Sequence, residues 1–253
     1  LNMKGKSWTP YGIININAYL FNDPQGITLD SSNRIYVADS GNNRIVRFDN
    51  INGRSFITFS GPIPPAPGET FSFPSGVAVD SNDVIYVADT NNNRIVQMDD
   101  MFGANWTSLG STGGGLDQFN APTGIAVDAN FHIYVADSGN NRIVEVDDIS
   151  GTNWTTYGTL GPGTGNFNAP SGIAVTSTGQ IEVADTGNDR IVQIDDMSGT
   201  NWTTLGVAGS GVKRFHSPVG VMAGAGGIYV ADELNDRIVQ MTDITGAGWE
   251  TFP

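Results

Sequence analysis

Short apolar runs alternate along the chain with clusters of Gly, Asn, Asp and Ser, and no apolar segment keeps a helical period long enough to predict a helix. The pattern is sharpest over residues 35–46: Ile-Tyr-Val-Ala, then Asp-Ser-Gly-Asn-Asn, then Arg-Ile-Val. Two apolar runs around a turn cluster predict a two-stranded hairpin. The stretch returns with small changes from Ile85, Ile133, Ile181 and Ile228. Its turn aspartates, Asp39, Asp89, Asp137, Asp185 and Asp232, recur with a period of about 48 residues. Two other registers keep step with it. One is Pro-x-Gly, from Pro24, Pro74, Pro122, Pro170 and Pro218; the other is Asn-Trp-Thr around Trp106, Trp154 and Trp202. Each unit thus offers four strands, exemplified by 124–128, 132–136, 142–147 and 153–157.

Four short strands per unit, repeated in tandem, predict an all-β fold: a β-propeller of four-stranded antiparallel blades. In–out alternation is weak in Ile-Tyr-Val-Ala, as expected where neighbouring blades cover both faces of a sheet. A parallel β-helix is the rival, but its coils are shorter. The first three strands occur five times, while the outer strand has six candidates, at 7–12, 55–60, 106–110, 154–158, 202–206 and 249–252. We therefore expect one domain over 1–253, with five blades and six as the alternative, its ring closed by a terminal strand. Residues 1–12 are expected to supply the closing outer strand to the blade of 220–241, unless 249–252 do so. A surplus outer strand would then fit a longer array or pairing with another copy. The start at Leu1, with neither an initiator Met nor a signal peptide, reads as a segment of something larger.

The ordered set Pro-x-Gly-[Ile/Val]-Ala-Val-Asp, then Ile-Tyr-Val-Ala-Asp-Ser-Gly-Asn-Asn-Arg-Ile-Val, resembles the NHL repeat, and five copies span nearly the whole chain. The resemblance implies a propeller, commonly six-bladed in that family and with somewhat shorter units. It also implies two functional classes: binding or scaffold propellers, and relatives that are lyases or lactonases with a metal in the central channel.

Charge narrows the partners. Lys and Arg number 12 against 26 Asp and Glu, a net charge of −14. Such a surface repels phosphate backbones and anionic lipid, so neither nucleic-acid binding nor membrane insertion is expected; no apolar stretch approaches the roughly 20 residues of a membrane span. The absence of cysteine removes disulfides and thiolate chemistry. An extracellular or periplasmic, bacterial setting is expected over a cytoplasmic one, with a monomer the simplest state and a strand-exchanged oligomer the alternative.

Candidate chemistry falls into repeated and unrepeated residues. The pairs Asp39/Arg44, Asp89/Arg94, Asp137/Arg142, Asp185/Arg190 and Asp232/Arg237 occur in every unit and read as structural turn pairs. Asp30, Asp80 and Asp128 end three first strands and are the candidate oxygen ligands of a metal, although Thr176 and Gly224 interrupt the series. The acidic pairs Asp99-Asp100, Asp147-Asp148 and Asp195-Asp196 are candidate Ca²⁺ loops that lack the graded spacing of a dedicated one. The Asn-Trp-Thr triplets match a glycosylation sequon but read as a by-product of repetition. Only His132 and His216 are present, too few for a three-His zinc site.

Structural demands act alike on every repeat, so function is sought where repetition fails. The departures are Lys213, Arg214 and His216, which form the one local basic cluster, Glu233 and Leu234 in the last hairpin turn, and Glu182, which stands where four copies have Tyr. Residues 62–67 are a further irregular loop. We expect a non-catalytic binding or scaffold propeller without a resident cofactor, presenting these residues to a protein, glycan or small anionic ligand. The alternative is a metal-dependent, lyase- or lactonase-like enzyme.

Overall fold

The computed structural model describes residues 20–50, 56–62 and 69–253. The strands predicted at 1–12 lie outside these residues. The first blade comprises β1 (Pro24–Leu29), β2 (Ile35–Asp39), β3 (Arg44–Phe48) and β4 (Phe56–Phe59). The second comprises β5 (Pro74–Val79), β6 (Ile85–Asp89), β7 (Arg94–Met98) and β8 (Thr107–Leu109). The third is β9 (Pro122–Val127), β10 (Ile133–Asp137), β11 (Arg142–Val146) and β12 (Thr155–Tyr157). The fourth is β13 (Pro170–Val175), β14 (Ile181–Asp185), β15 (Arg190–Ile194) and β16 (Thr203–Leu205). The fifth is β17 (Pro218–Gly224), β18 (Gly227–Asp232), β19 (Arg237–Met241) and β20 (Glu250–Phe252). Among the described residues the five sheets are each four-stranded, antiparallel and built from consecutive strands, the arrangement of a five-blade β-propeller.

The outer slot of the fifth blade is filled by its own repeat: β20 pairs with β19, Phe252 opposite Ile238. Of the two expected candidates for this slot, 249–252 therefore occupies it, while residues 1–12 lie outside the described residues.

The hairpin turn is longer than a two-residue turn. After the strand-ending Asp, residues Ser40–Asn42 form one turn of 3-10 helix, and Asn43 follows in the left-handed region at φ 53°. The other repeats match, with Asn93, Asn141, Asp189 and Asp236 at the left-handed position. Asn and Asp tolerate that backbone better than other non-glycine residues, which accounts for their recurrence.

The core lies between blades. Tyr36, Ala38 and Ile45 of the first blade pack on Val77, Val87, Val96 and Met98 of the second, and equivalent clusters fill the next three junctions. Both faces of an inner sheet are therefore apolar, which removes clean alternation from the sequence. Towards the rim, Phe71, Phe119, Phe167 and Phe215 meet Trp106, Trp154, Trp202 and Trp249, with ring centroids 5.0–5.3 Å apart.

At four junctions the inner strands of adjacent blades approach so closely that the Pro-x-Gly glycine has no room for a side chain. A Cβ on Gly76 would lie 2.3 Å from the Thr123 carbonyl oxygen, and one on Gly124 2.3 Å from that of Ser171. At three of these junctions the next residue of the following strand, Val77, Ile125 or Ile173, is 5–7% exposed, and at the fourth Val221 is half-buried. The seam from the fifth blade back to the first is different. Ile27, in the same register, is 68% exposed, and a Cβ on Gly220 would meet only Ala231 of its own blade. Among the described residues β17 and β1 do not pack as the other inner strands do, and no apolar cluster spans the seam.

Candidate functional site

The repeated charges are consumed within the blades. Each turn Asp is fully buried, and its Oδ1 accepts the backbone N–H of the residue entering the blade: Asn22, Ser72, Asn120, Asn168 or His216, each at 2.7 Å. Oδ2 accepts the turn Asn amide and the Arg Nε; in the third blade Asn140 and Arg142 are both 2.8 Å from Asp137. Burial pushes the Asp137 and Asp185 carboxyls up from the ordinary value, opposed by these donors. The guanidinium then reaches out to the inter-blade loop, where Arg142 donates to the Gly114 and Gln118 carbonyls at 2.8 and 2.9 Å. It also lies over a tryptophan: Arg94, Arg142, Arg190 and Arg237 sit 5.6–6.0 Å from the ring centroids of Trp106, Trp154, Trp202 and Trp249. Carboxylate, loop carbonyls and indole together hold each arginine in one place.

Two further sets of repeated residues tie one blade to the next, and the sequence had marked them only as turn formers. Ser40, Thr90, Ser138 and Thr186 each donate a hydroxyl to the Pro carbonyl opening the following blade, at 2.5–2.8 Å. Asn43, Asn93, Asn141 and Asp189 each accept the N–H of the residue immediately before that proline, at 2.6–2.9 Å. Their signal was the fixed position of a hydroxyl directly after the turn Asp. In the fifth repeat that position is Glu233.

The three candidate metal ligands are spread over three blades, each closing its own strand-to-strand turn. Asp30 Oδ1 accepts from Ser32 and Arg34 N–H while Oδ2 pairs with the Arg34 guanidinium. Asp80 holds Asn82 and Val84 N–H with one oxygen and the Tyr86 hydroxyl with the other. Asp128 holds Asn130 and His132 N–H, and its second oxygen is 3.1 Å from His132 Nδ1. Burial pushes Asp30 up, but the Arg34 and Ser32 donors outweigh it and leave the carboxyl below the usual range. Burial likewise raises the Tyr36 hydroxyl to about 12. No three His, Asp or Glu side chains converge on a common point suited to a metal ion among the described residues.

The acidic pairs are turn builders of the same kind. Asp148 accepts from Ser150 N–H and Oγ, and Asp196 from Ser198 in the same way; these hydrogen bonds hold both carboxyls below the usual range. The sequon asparagines donate their amides to the first acid of each pair: Asn105 to Asp99, Asn153 to Asp147 and Asn201 to Asp195, at 2.6–2.7 Å.

The unrepeated residues divide into three places. His216, Glu233 and Leu234 are exposed and adjacent, joined by the Leu234 N–H to the His216 carbonyl at 3.1 Å. Arg214, also exposed, donates to the Ala208 carbonyl, and its own carbonyl accepts from Arg237, which fixes the loop beside that cluster. Lys213 turns the other way, along Gly246 and towards Asp243. Glu182 belongs to neither group. It is 1% exposed on β14, its Oε1 accepts from Gln193 at 3.1 Å, and its Oε2 is buried with no partner. Burial raises this carboxyl to about 7. The two histidines lie at opposite ends of their blades, His132 beside Asp128 after a first strand and His216 beside Asp232 after a second.

Comparison with known proteins gives the repeat a family. The NHL repeat matches at residues 21–48, 71–98, 119–145 and 167–194, and the matches stop before the fifth copy, where Glu233 and Leu234 stand. No curated protein matches the chain by sequence. Among solved structures, the chain is similar to virginiamycin B lyase from Staphylococcus aureus at a TM-score of 0.62 and 21% identity, over 90% of this chain and 69% of that one. A streptogramin B lyase superposes at a TM-score of 0.63 and 18% identity, over 90% and 68%. A nidogen/laminin complex contains a chain that superposes at 0.71 and 20% identity, over 90% and 79%. At these identities the similarity is one of fold.

Proposed function

Because the chain is an NHL-repeat β-propeller, we propose that it is a non-catalytic binding platform whose ligand face is the blade end carrying the fifth hairpin turn. The observation that carries this reading is the division of labour among polar side chains. The repeated Asp, Arg, Asn and hydroxyl groups are bound into turns and junctions, while His216, Glu233, Leu234 and Arg214 break the pattern and are exposed together. Exposed basic groups in an otherwise acidic surface select for a carboxylate, a sulfated or acidic glycan, or an acidic protein loop. Loops displayed by a rigid scaffold are the usual carriers of such recognition. An extracellular or periplasmic setting goes with this proposal; no helix of the described residues is long and apolar enough to cross a membrane.

A lyase- or lactonase-like activity is the weaker reading. Asp30, Asp80 and Asp128 spend their oxygens on their own turns, and a fold similarity to lyases does not transfer chemistry. Calorimetric titration of acidic glycans and small carboxylates against the chain tests the proposal. Binding by the wild type that weakens at least about tenfold, roughly 1.4 kcal/mol, in a Lys213/Arg214/His216 triple alanine variant supports it. Equal binding by both removes this face from the account. Calcium added to metal-free protein in the same calorimeter tests the acidic turns.

A further inference from the structure

The seam between the fifth and first blades presents the two halves of an interface that the chain builds four times elsewhere. On the first blade, Ile27 occupies the register of Val77, Ile125 and Ile173, which are buried against the preceding blade, and Ile27 is 68% exposed. Leu29 and Leu20 beside it are also exposed. On the fifth blade, Gly220 occupies the register of Gly26, Gly76, Gly124 and Gly172, each of which faces the backbone of the following blade, and its own forward side is open. Tyr229 and Ile238 are partly uncovered where Tyr36, Tyr86, Ile45, Ile95 and Ile143 are buried, and Met222 is 56% exposed. One face therefore has the shape of an acceptor and the other of an insert, and among the described residues the two do not pack on each other as the internal junctions do.

We propose that the seam is an association surface for a second copy of this chain, the fifth blade of one copy stacking on the first blade of the next. The two faces are different patches, so the contact is head-to-tail and builds a ring or an open array rather than a two-fold dimer. A contiguous exposed apolar patch, in registers that are buried or half-buried at the internal junctions, is the usual mark of such a contact. The junction would be weaker than an internal one. Val219 and Glu233 replace the hydroxyl residues that at other junctions donate to the next blade's backbone: Ser40, Thr90, Ser138 and Thr186 at one position, Thr123 and Ser171 at the other. Each copy carries a net charge of −14, so the copies repel at low ionic strength and added salt favours their contact.

The test is native mass spectrometry and light scattering across a concentration series of the wild type, Ile27→Asp and Gly220→Ala. Ile27 is exposed, and Gly220 has room for a methyl group, so each variant is expected to keep the wild-type melting curve when dilute. The expected result is concentration-dependent assembly of the wild type, strengthened by salt, and its loss in each variant alone. Each variant keeps one intact face, so an equal mixture of the two should recover a discrete 1:1 dimer and nothing larger. A wild type that stays monomeric at every concentration, or variants that assemble as the wild type does, would overturn the proposal and assign the seam to another occupant, residues 1–19 among them.

Discussion

Gly124 and Gly220 hold the same position in their repeats, yet a Cβ on the first would lie 2.3 Å from the Ser171 carbonyl oxygen of the next blade, and a Cβ on the second would meet only Ala231 at 3.4 Å. The residues around them diverge in step. Beside Gly124, Ser138 donates to the Pro170 carbonyl, and Asn141 accepts the Ala169 N–H. Beside Gly220 the hydroxyl has become Glu233 and the neighbouring turn residue Leu234, both exposed. The hydroxyl that repeats directly after the turn Asp is one that the next blade leans on. Where no such neighbour packs among the described residues, that position holds Glu233 and the exposed cluster of the fifth repeat lies beside it.

The comparison predicts graded effects. The largest is expected from Arg142→Ala, which leaves the buried Asp137 carboxylate without its charge partner and frees both the Gly114–Gln118 loop and the Trp154 ring. Breaking a buried pair in this way costs about 3–5 kcal/mol, and about 3 kcal/mol corresponds to a drop of roughly 6–12 °C in Tm for a chain of this size. Thermal unfolding checks it. The Lys213/Arg214/His216 variant, by contrast, should melt with the wild type, since its side chains are exposed.

Glu182 gives the next effect, and it depends on pH. Its carboxyl titrates near 7 in the folded chain against an ordinary 4.5, so the native state holds this proton more tightly than the unfolded chain does. The contribution is fully present below pH 4.5 and is lost as pH rises through 7, about 3 kcal/mol in total. Urea unfolding between pH 4 and 8 should show that decline in the wild type and a flatter profile in Glu182→Gln. The surface carboxyls with lowered values act with the opposite sign at lower pH, and both proteins share them. The smallest effect separates junction from seam. Ser138→Ala loses its bond to the next blade, at about 1 kcal/mol, while Glu233→Ala at the same repeat position should stay within about 0.5 kcal/mol.

Much of this architecture is legible in the chain. The period, the order Pro-x-Gly, Ile-Tyr-Val-Ala-Asp and Arg-Ile-Val, and the weak alternation lead to four-stranded blades because each reflects a local constraint: an open turn, a left-handed Asn, a sheet covered on both faces. The seam was not legible, because its evidence is a missing neighbour and Ile27 reads like any other strand isoleucine. Nor was the Arg–Trp stacking, which joins residues a dozen positions apart across two strands. Glu182 stood out as a departure, but only the packing shows it buried between blades with one oxygen unpartnered rather than at the exposed end. Likewise Lys213 shares a sequence cluster with His216 but lies against Gly246.

The measurement that tests this most directly is the pair of melting temperatures of Gly124→Ala and Gly220→Ala, taken dilute. Overpacking a closed junction should cost Gly124→Ala about 2–3 kcal/mol, or roughly 4–12 °C, while Gly220→Ala should melt with the wild type. An equal loss in both would mean that the fifth blade packs on the first as the other blades do, and that the seam does not exist.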